Sequence, residues 1–353
     1  MQQLEKKIPV AVLGAAGTVG QRFVELLADH PWFTLTALSG SERSAGERYA
    51  DTCNWKGEAS IPAEAAEMVV QPLGNTYDAE IIFSALPSEV AKEIEPDLAA
   101  AGYAVCSNAS AYRDVPDVPL LIPEINPGHL VLIDYQRERR GWKGFIVTSP
   151  NCAATGIALP LKPLDDAFGL EKTYIFTMQA ISGAGYPGIP ALDIVNNVYP
   201  YIGGEDEKVA RETRLLLGKV GAEGKEPHPM AATAQVNRVN VIDGHTARLG
   251  IELRDKAGVD EVYAVMEAFN QTEANLRLPS SPAKILHLFR ENGRPQPRLD
   301  SRRDKGMAIS VGQVRPCDIF DIQMTTLVHN TMRGAAGGAI LNAELLVAKG
   351  LVA

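Results

Sequence analysis

Ile8-Pro9-Val10-Ala11-Val12-Leu13-Gly14-Ala15-Ala16-Gly17-Thr18-Val19-Gly20 is the stretch on which the fold turns. Ile8–Leu13 is apolar throughout and reads as a buried parallel strand, and Val19, Phe23 and Leu27 follow at helical spacing. Between them Gly14, Gly17 and Gly20 form a GxxGxxG pattern. Strand, glycine loop and amphipathic helix together give the context in which such glycines read as a dinucleotide fingerprint. The glycines let the backbone approach a pyrophosphate, and a helix opening at Thr18 and Val19 offers it N–H groups. An ordinary tight strand-to-helix turn is the alternative.

Working outward, Phe33–Leu38 reads as the second strand and runs into Ser39-Gly40-Ser41-Glu42-Arg43-Ser44. An NAD site usually places an acidic residue at this strand end; hydroxyls and a guanidinium suit a 2′-phosphate, so NADP(H) is preferred. Ala79–Leu86, which contains Ser84, is another buried strand. Pro87 opens a helix with Val90, Ile94 and Leu98 on one face, and Tyr103–Asn108 continues the alternation. The proline-rich segment Asp114–Pro127 reads as a crossing, with a strand ending at Glu124-Ile125-Asn126.

At 353 residues the chain is long enough for two domains. Its net charge of −9 argues against nucleic-acid or membrane-surface partners. Cys53, Cys106, Cys152 and Cys317 fit neither a zinc site nor a disulfide framework, so no metal is expected, and reduced thiols point to the cytoplasm.

After Gly144–Thr148, a further strand, comes Ser149-Pro150-Asn151-Cys152-Ala153-Ala154-Thr155-Gly156. Cys152 falls one step inside a buried helix, where the dipole favours thiolate over thiol. Asn151 is a natural cap and a side-chain donor for a developing oxyanion. A small buried cysteine packing as a hydrophobe is the alternative.

Beyond Pro163 the strands lengthen and alternate: Thr173–Ala180, Ala231–Val239, Thr246–Arg254, Met307–Val314 and Ile319–Val328. This suggests an antiparallel sheet. Helices are predicted over Glu205–Val220, Val259–Asn275 and Arg333–Lys349. The loop Ser182–Gly188 is glycine-rich and suited to closing over a ligand. His245, in the turn Asp243-Gly244-His245, is the candidate general acid/base; the other five histidines show no comparable setting.

Several of these stretches, in order, resemble the aspartate-semialdehyde dehydrogenase family in its archaeal and fungal-type branch. They are Ser41–Gly46, Ser107–Ser110, Ser149–Gly156, Gln179–Gly185, Glu205–Lys208, Asn237–Thr246 and His329–Gly337. The resemblance implies a Rossmann-type doubly wound α/β domain (1–150 plus 333–353) and an α+β catalytic and oligomerisation domain with a mainly antiparallel sheet (151–332), as in glyceraldehyde-3-phosphate dehydrogenase. It implies Cys152 as nucleophile, His245 as acid/base and Gln179 orienting the acyl group. Arg113 and Lys208 would hold phosphate, Arg238 the substrate carboxylate and Glu205 the substrate ammonium. Ser84, Ser182, Gly183 and Asn330 would join the glycine loop and Ser39, Ser41, Arg43 and Ser44 around the nucleotide. The implied reaction is NADPH-dependent reduction of L-aspartyl 4-phosphate to the semialdehyde, a step towards lysine, threonine and methionine, in a homodimer or homotetramer. Asn240 stands where the branch has proline, and Asp206 where it often has glutamate. A malonyl-CoA reductase built on the same branch is the second reading, and a nucleotide-binding regulator without chemistry the third.

Overall fold

The computed structural model describes residues 6–57, 59–74, 76–271 and 276–352. The first sheet is built from β1 (Ile8–Leu13), β2 (Phe33–Gly40), β3 (Gln71–Pro72), β4 (Ile81–Ser84), β5 (Ala104–Ser107) and β6 (Phe145–Thr148), all parallel, in the order β3-β2-β1-β4-β5-β6. Helices α1 (Thr18–Leu27), the short α2 (Tyr49–Thr52) and α3 (Ala63–Glu67), α4 (Ser88–Ala101) and α5 (Leu132–Arg140) connect the strands. Central strands are apolar because both faces are covered, one by a core containing Val10, Val12, Phe23, Phe33 and Phe83, the other by Ala11, Leu13, Ile82, Leu98 and Val105. Strand order reverses between β1 and β4, which opens a crevice at their carboxyl ends.

From β6 the chain enters α6 (Cys152–Phe168), the buried helix of the second unit. Then follow β7 (Leu170–Gln179), the one-turn α7 (Ala191–Ile194), β8 (Val198–Tyr199), α8 (Glu205–Leu216), the hairpin β9 (Lys219–Gly221) and β10 (Gly224–Glu226), β11 (Ala231–Val239), β12 (His245–Leu253), α9 (Val259–Phe269), β13 (Leu286–Leu288), the short α10 (Pro297–Asp300), β14 (Ile309–Pro316) and β15 (Ile322–Val328). The second sheet has the order β13-β14-β15-β12-β7-β11-β8. It is mixed: β7–β11 and β13–β14 pair in parallel, while the other pairs are antiparallel. The period-two pattern that suggested antiparallel pairing reports one covered face; it does not report strand direction.

Several element boundaries differ from expectation; the strands expected from Met307 and Ile319 begin at Ile309 and Ile322, for example. The helix predicted to reach Val220 ends at Leu216, because Gly218 lies against the hairpin: a Cβ there would sit 2.0 Å from the Glu226 carbonyl oxygen. Glu124-Ile125-Asn126 is a turn, because the Asn126 side chain accepts from Ile122 N–H (2.9 Å) and donates to Leu120 O (2.9 Å) in place of a strand partner. The helix predicted over Val259–Asn275 is described to Phe269, and residues 272–275 lie outside the described residues.

The last helix, α11 (Gly337–Ala348), follows a wide turn at Met332–Ala336 and contributes Ile340, Leu341, Leu345 and Leu346 to the core of the first sheet. No helix of the described residues is long and apolar enough to cross a membrane.

Candidate active site

The switch-point crevice carries the glycine loop. Gly14 has φ +72°, a backbone region that glycine favours, and a Cβ there would lie 2.8 Å from Ala85 O. A Cβ on Gly20 would lie 2.2 Å from Gly14 O, so the glycine is what lets α1 pack onto its own loop. Gly17 caps α1 without a side-chain hydrogen bond, and no acidic residue occupies the first turn. The helix therefore presents free N–H groups and its positive end to the cleft, which fits a pyrophosphate. That cleft, about 750 Å³, is lined by Ala16–Val19 on one side and by Asn151, Cys152, Arg113 and Ser182–Tyr186 on the other.

The loop after β2 departs from expectation. Ser39 Oγ donates to Pro72 O (3.1 Å) and Ser44 Oγ to Ser41 O (2.9 Å), and both residues are buried. A phosphate accepts hydrogen bonds, so hydroxyls whose protons already serve backbone carbonyls do not suit it. Ser41 and Arg43 stay exposed and carry the anion-binding potential of this loop. Ser84 is buried at the end of β4, where its carbonyl accepts from Asn108 N–H (2.9 Å).

Cys152 is the first residue of α6. Asn151 caps the helix by accepting from Ala153 N–H (2.8 Å) and Ala154 N–H (3.2 Å). The Asn151 amide nitrogen, expected to face an oxyanion, donates to Glu205 Oε1 (2.7 Å) in this structure. Gln179, at the end of β7, donates to the same oxygen (3.2 Å). Glu205 thus gathers two side chains around the sulfur but has no cationic partner among the described residues.

The thiolate predicted for Cys152 is not the resting form. The side chain keeps some contact with solvent, but desolvation by the surrounding protein, followed by the negative charge of Glu205, pushes the thiol up to about 12. Arg113 and Arg238 pull it down, as does the Ala153 N–H at the helix start. These attractions lose to the packing of protein around the sulfur and to the nearby carboxylate of Glu205.

His245 opens β12. Its Nδ1 accepts from Ala180 N–H (3.0 Å). A ring nitrogen that accepts carries no hydrogen, so the neutral ring is protonated on Nε2, which is buried without a partner among the described residues. Burial, then the positive charge of Arg238 and His329, pushes the imidazole down to about 3. His329, which the sequence gave no reason to single out, therefore belongs to this neighbourhood.

Parallel register sets Arg238 of β11 beside Gln179 of β7. The guanidinium donates to Ala180 O (2.9 Å), so Ala180 holds the imidazole through its N–H and the guanidinium through its carbonyl. Gly183 lies against both: a Cβ there would meet Arg238 Nη1 at 2.8 Å, His245 Cε1 at 2.9 Å and Nε2 at 3.0 Å. Gly334 is pressed on the nucleophile in the same way, with a Cβ 2.7 Å from that of Cys152. Asn330 accepts from Gly244 N–H (2.9 Å) and donates to Ser182 Oγ (2.7 Å), tying the glycine-rich loop to the His245 turn.

Of the two cations expected to hold phosphate, Arg113 lines the cleft and Lys208 is not among the residues lining it. Arg113, in the loop after β5, donates to Asn108 O (2.7 Å) and pairs with Glu212 (3.2 Å). Lys208, one turn after Glu205 on α8, is half-buried and has no ion pair among the described residues. Asn108, His329 and Gly334 lie in stretches that carry the resemblance but were given no role, and Glu212 was not singled out at all. Spacing shows that Glu205, Lys208 and Glu212 share a face of α8, but it does not show what that face meets.

Two family models match the chain: "Semialdehyde dehydrogenase, NAD binding domain" over residues 9–133 and "Semialdehyde dehydrogenase, dimerisation domain" over 161–333. The aspartate-semialdehyde dehydrogenase of Archaeoglobus fulgidus is 47% identical over 344 residues, covering 97% of this chain and 99% of that protein. Its Schizosaccharomyces pombe counterpart is 44% identical over 352 residues, covering 97% and 99%. The crystal structure of aspartate semialdehyde dehydrogenase with NADP from Candida albicans superposes with a TM-score of 0.90 at 38% identity, covering 98% of this chain and 99% of that one. By sequence and by fold alike, this chain belongs to the semialdehyde dehydrogenase family.

Proposed function

We propose that the protein reduces L-aspartyl 4-phosphate to L-aspartate 4-semialdehyde with NADPH, releasing phosphate, and runs the reverse reaction. The observation that carries this reading is the single cleft that joins the glycine loop Ala16–Val19 to Cys152 and Arg113. Residues 1–150 with 333–353 hold the nucleotide and contribute Arg113, and 151–332 carry the other reacting groups.

Glu205 and Arg238 bind the substrate ammonium and carboxylate, while Lys208 and Arg113 receive the phosphoryl group. An ammonium on Glu205 cancels the charge that holds the thiol protonated, so substrate binding itself favours the thiolate. The sulfur attacks the acyl carbon: an S–C bond forms and the C–O bond to phosphate breaks. Phosphate leaves with that electron pair and takes up the thiol proton. When bound, the nicotinamide supplies hydride to the thioester carbon. His245 Nε2–H donates to the oxygen on that carbon and stabilises its negative charge, with Gln179 fixing the acyl plane. Breaking the S–C bond frees the aldehyde, and the sulfur regains a proton from solvent.

Glu205 distinguishes this substrate from malonyl-CoA, which has no ammonium to meet it, and nothing in the comparisons favours the acyl-CoA reading. The candidate cofactor is NADP(H), with Ser41 and Arg43 facing the 2′-phosphate. The protein works in the cytoplasm, where its thiols stay reduced. It works as a homo-oligomer whose basic unit is a dimer. Supporting this, edge strand β8 and the segments near it expose Leu192, Val198, Tyr199, Tyr201 and Ile242.

The test is oxidation of aspartate semialdehyde with NADP, with and without phosphate, with NAD and malonyl-CoA reactions run in parallel. Phosphate-dependent NADPH formation is the expected result. Activity confined to malonyl-CoA, or independent of phosphate, overturns the reading.

A further inference from the structure

Glu212 is a buried carboxylate, 1% exposed, that no step above uses. Its Oε2 accepts from the backbone N–H of Asn151 at 2.5 Å, and its Oε1 lies 3.2 Å from Arg113 Nη1. One side chain therefore touches the turn that launches the nucleophile's helix and also the guanidinium on the cleft wall. Arg113 Nη2 is fixed to Asn108 O, while its Nε is buried without a partner among the described residues. The guanidinium is held on two arms and has hydrogen-bonding capacity left over.

We propose that Glu212 is the positioning residue of the phosphate subsite: it aims Arg113 and fixes its distance from Cys152. This rests on the function proposed above. Glu212 does not touch substrate and acts through Arg113. The pairing also divides the work between the two cations. Glu212 offsets much of Arg113's charge, so Arg113 supplies direction, while Lys208, with no ion pair among the described residues, supplies most of the attraction.

The geometry explains why a carboxylate is needed. Both partners are donors, and only a group with two acceptor oxygens satisfies both. Glutamine keeps one oxygen; whichever way its amide turns, its NH₂ faces either the Asn151 N–H or the Arg113 guanidinium. Aspartate is one methylene too short to reach both.

The experiment uses the full chain carrying Glu212→Gln in the oxidative direction. The Michaelis constant for phosphate should rise about tenfold or more, as for loss of a charge-assisted hydrogen bond, while that for aldehyde and the affinity for NADP move less than about twofold. A second readout needs no turnover: protection of Cys152 from iodoacetamide by inorganic phosphate should require about tenfold more phosphate. In an Arg113→Met background the same change should alter neither quantity more than about twofold. Equal losses for phosphate, aldehyde and nucleotide mean a merely structural role and overturn the proposal, as does an undiminished phosphate effect without Arg113. If Glu212→Gln does not fold, Glu212→Asp decides by the same split. Wild-type turnover that ignores phosphate would refute the functional reading itself, and phosphate protection of the thiol still judges Glu212.

Discussion

Glu205→Gln should make Cys152 more reactive and the enzyme worse. In the ligand-free protein burial pushes the thiol up to about 12, so at pH 8 the thiolate is a small minority form. Glu205 is the largest contributor to that elevation after desolvation. Glutamine keeps an oxygen for the Asn151 amide and removes the charge. A neighbouring like charge is typically worth about one unit or more, so the thiolate fraction, and the alkylation rate with it, should rise about tenfold. Desolvation persists, so the thiol stays above the ordinary cysteine value. The assay is iodoacetamide alkylation from about pH 7 to 10 in the absence of substrate, with Cys152→Ala giving the background from Cys53, Cys106 and Cys317. In the same protein kcat/KM for the aldehyde should fall about 10- to 100-fold, because the substrate ammonium loses a charged partner. Alkylation that is unchanged or slower would refute the reasoning, since Glu205 would then not be what holds the thiol protonated.

Gly183→Ala should lower kcat/KM about 100-fold, because its Cβ would push against Arg238 and His245 at under about 3 Å; kinetics alongside circular dichroism check it, and near-normal activity would contradict the close approach. The His245 ring should stay neutral and protonated on Nε2 between about pH 5 and 8, given a value near 3; nitrogen NMR of histidine-labelled protein reads the tautomer, and an imidazolium in that range would contradict it. Glu95, buried on α4 with Ser107 Oγ donating at 2.6 Å, is pushed up to about 7 by burial, so the folded state holds a proton that the unfolded chain releases near 4.5. The stability this confers is complete below about pH 4.5 and is lost as pH rises through about 7. Glu95→Gln should therefore gain on wild type by up to about 3 kcal/mol at pH 8 and not at pH 4.5, as thermal melts at both pH values will report.

Much of the fold was legible because it depends on local pattern. Ile8–Gly20 combines an apolar run, glycines at fixed offsets and a helical stripe, and each of these has a near-neighbour cause. The Asn151–Cys152 cap was readable for the same reason. The pairing of β7 with β11 was not, because an alternating strand looks the same whichever way its partner runs. Protonation was also out of reach: helix position argued for a Cys152 thiolate, but the charge that opposes it comes from Glu205, which only folding brings close. Glu212 and His329 were missed for the same reason, since their importance lies wholly in partners distant along the chain. Ser39 and Ser44 are residues of the right type in the right loop, but their protons turned out to be committed to backbone carbonyls.

Trapping the acyl-enzyme tests the central claim most directly. With aspartate semialdehyde, NADP and no phosphate, the protein should give a burst of NADPH and then stall. Mass spectrometry should place the added aspartyl group on the peptide containing Cys152, and phosphate should remove it. Continued turnover with no adduct, or an adduct on another residue, would contradict the account.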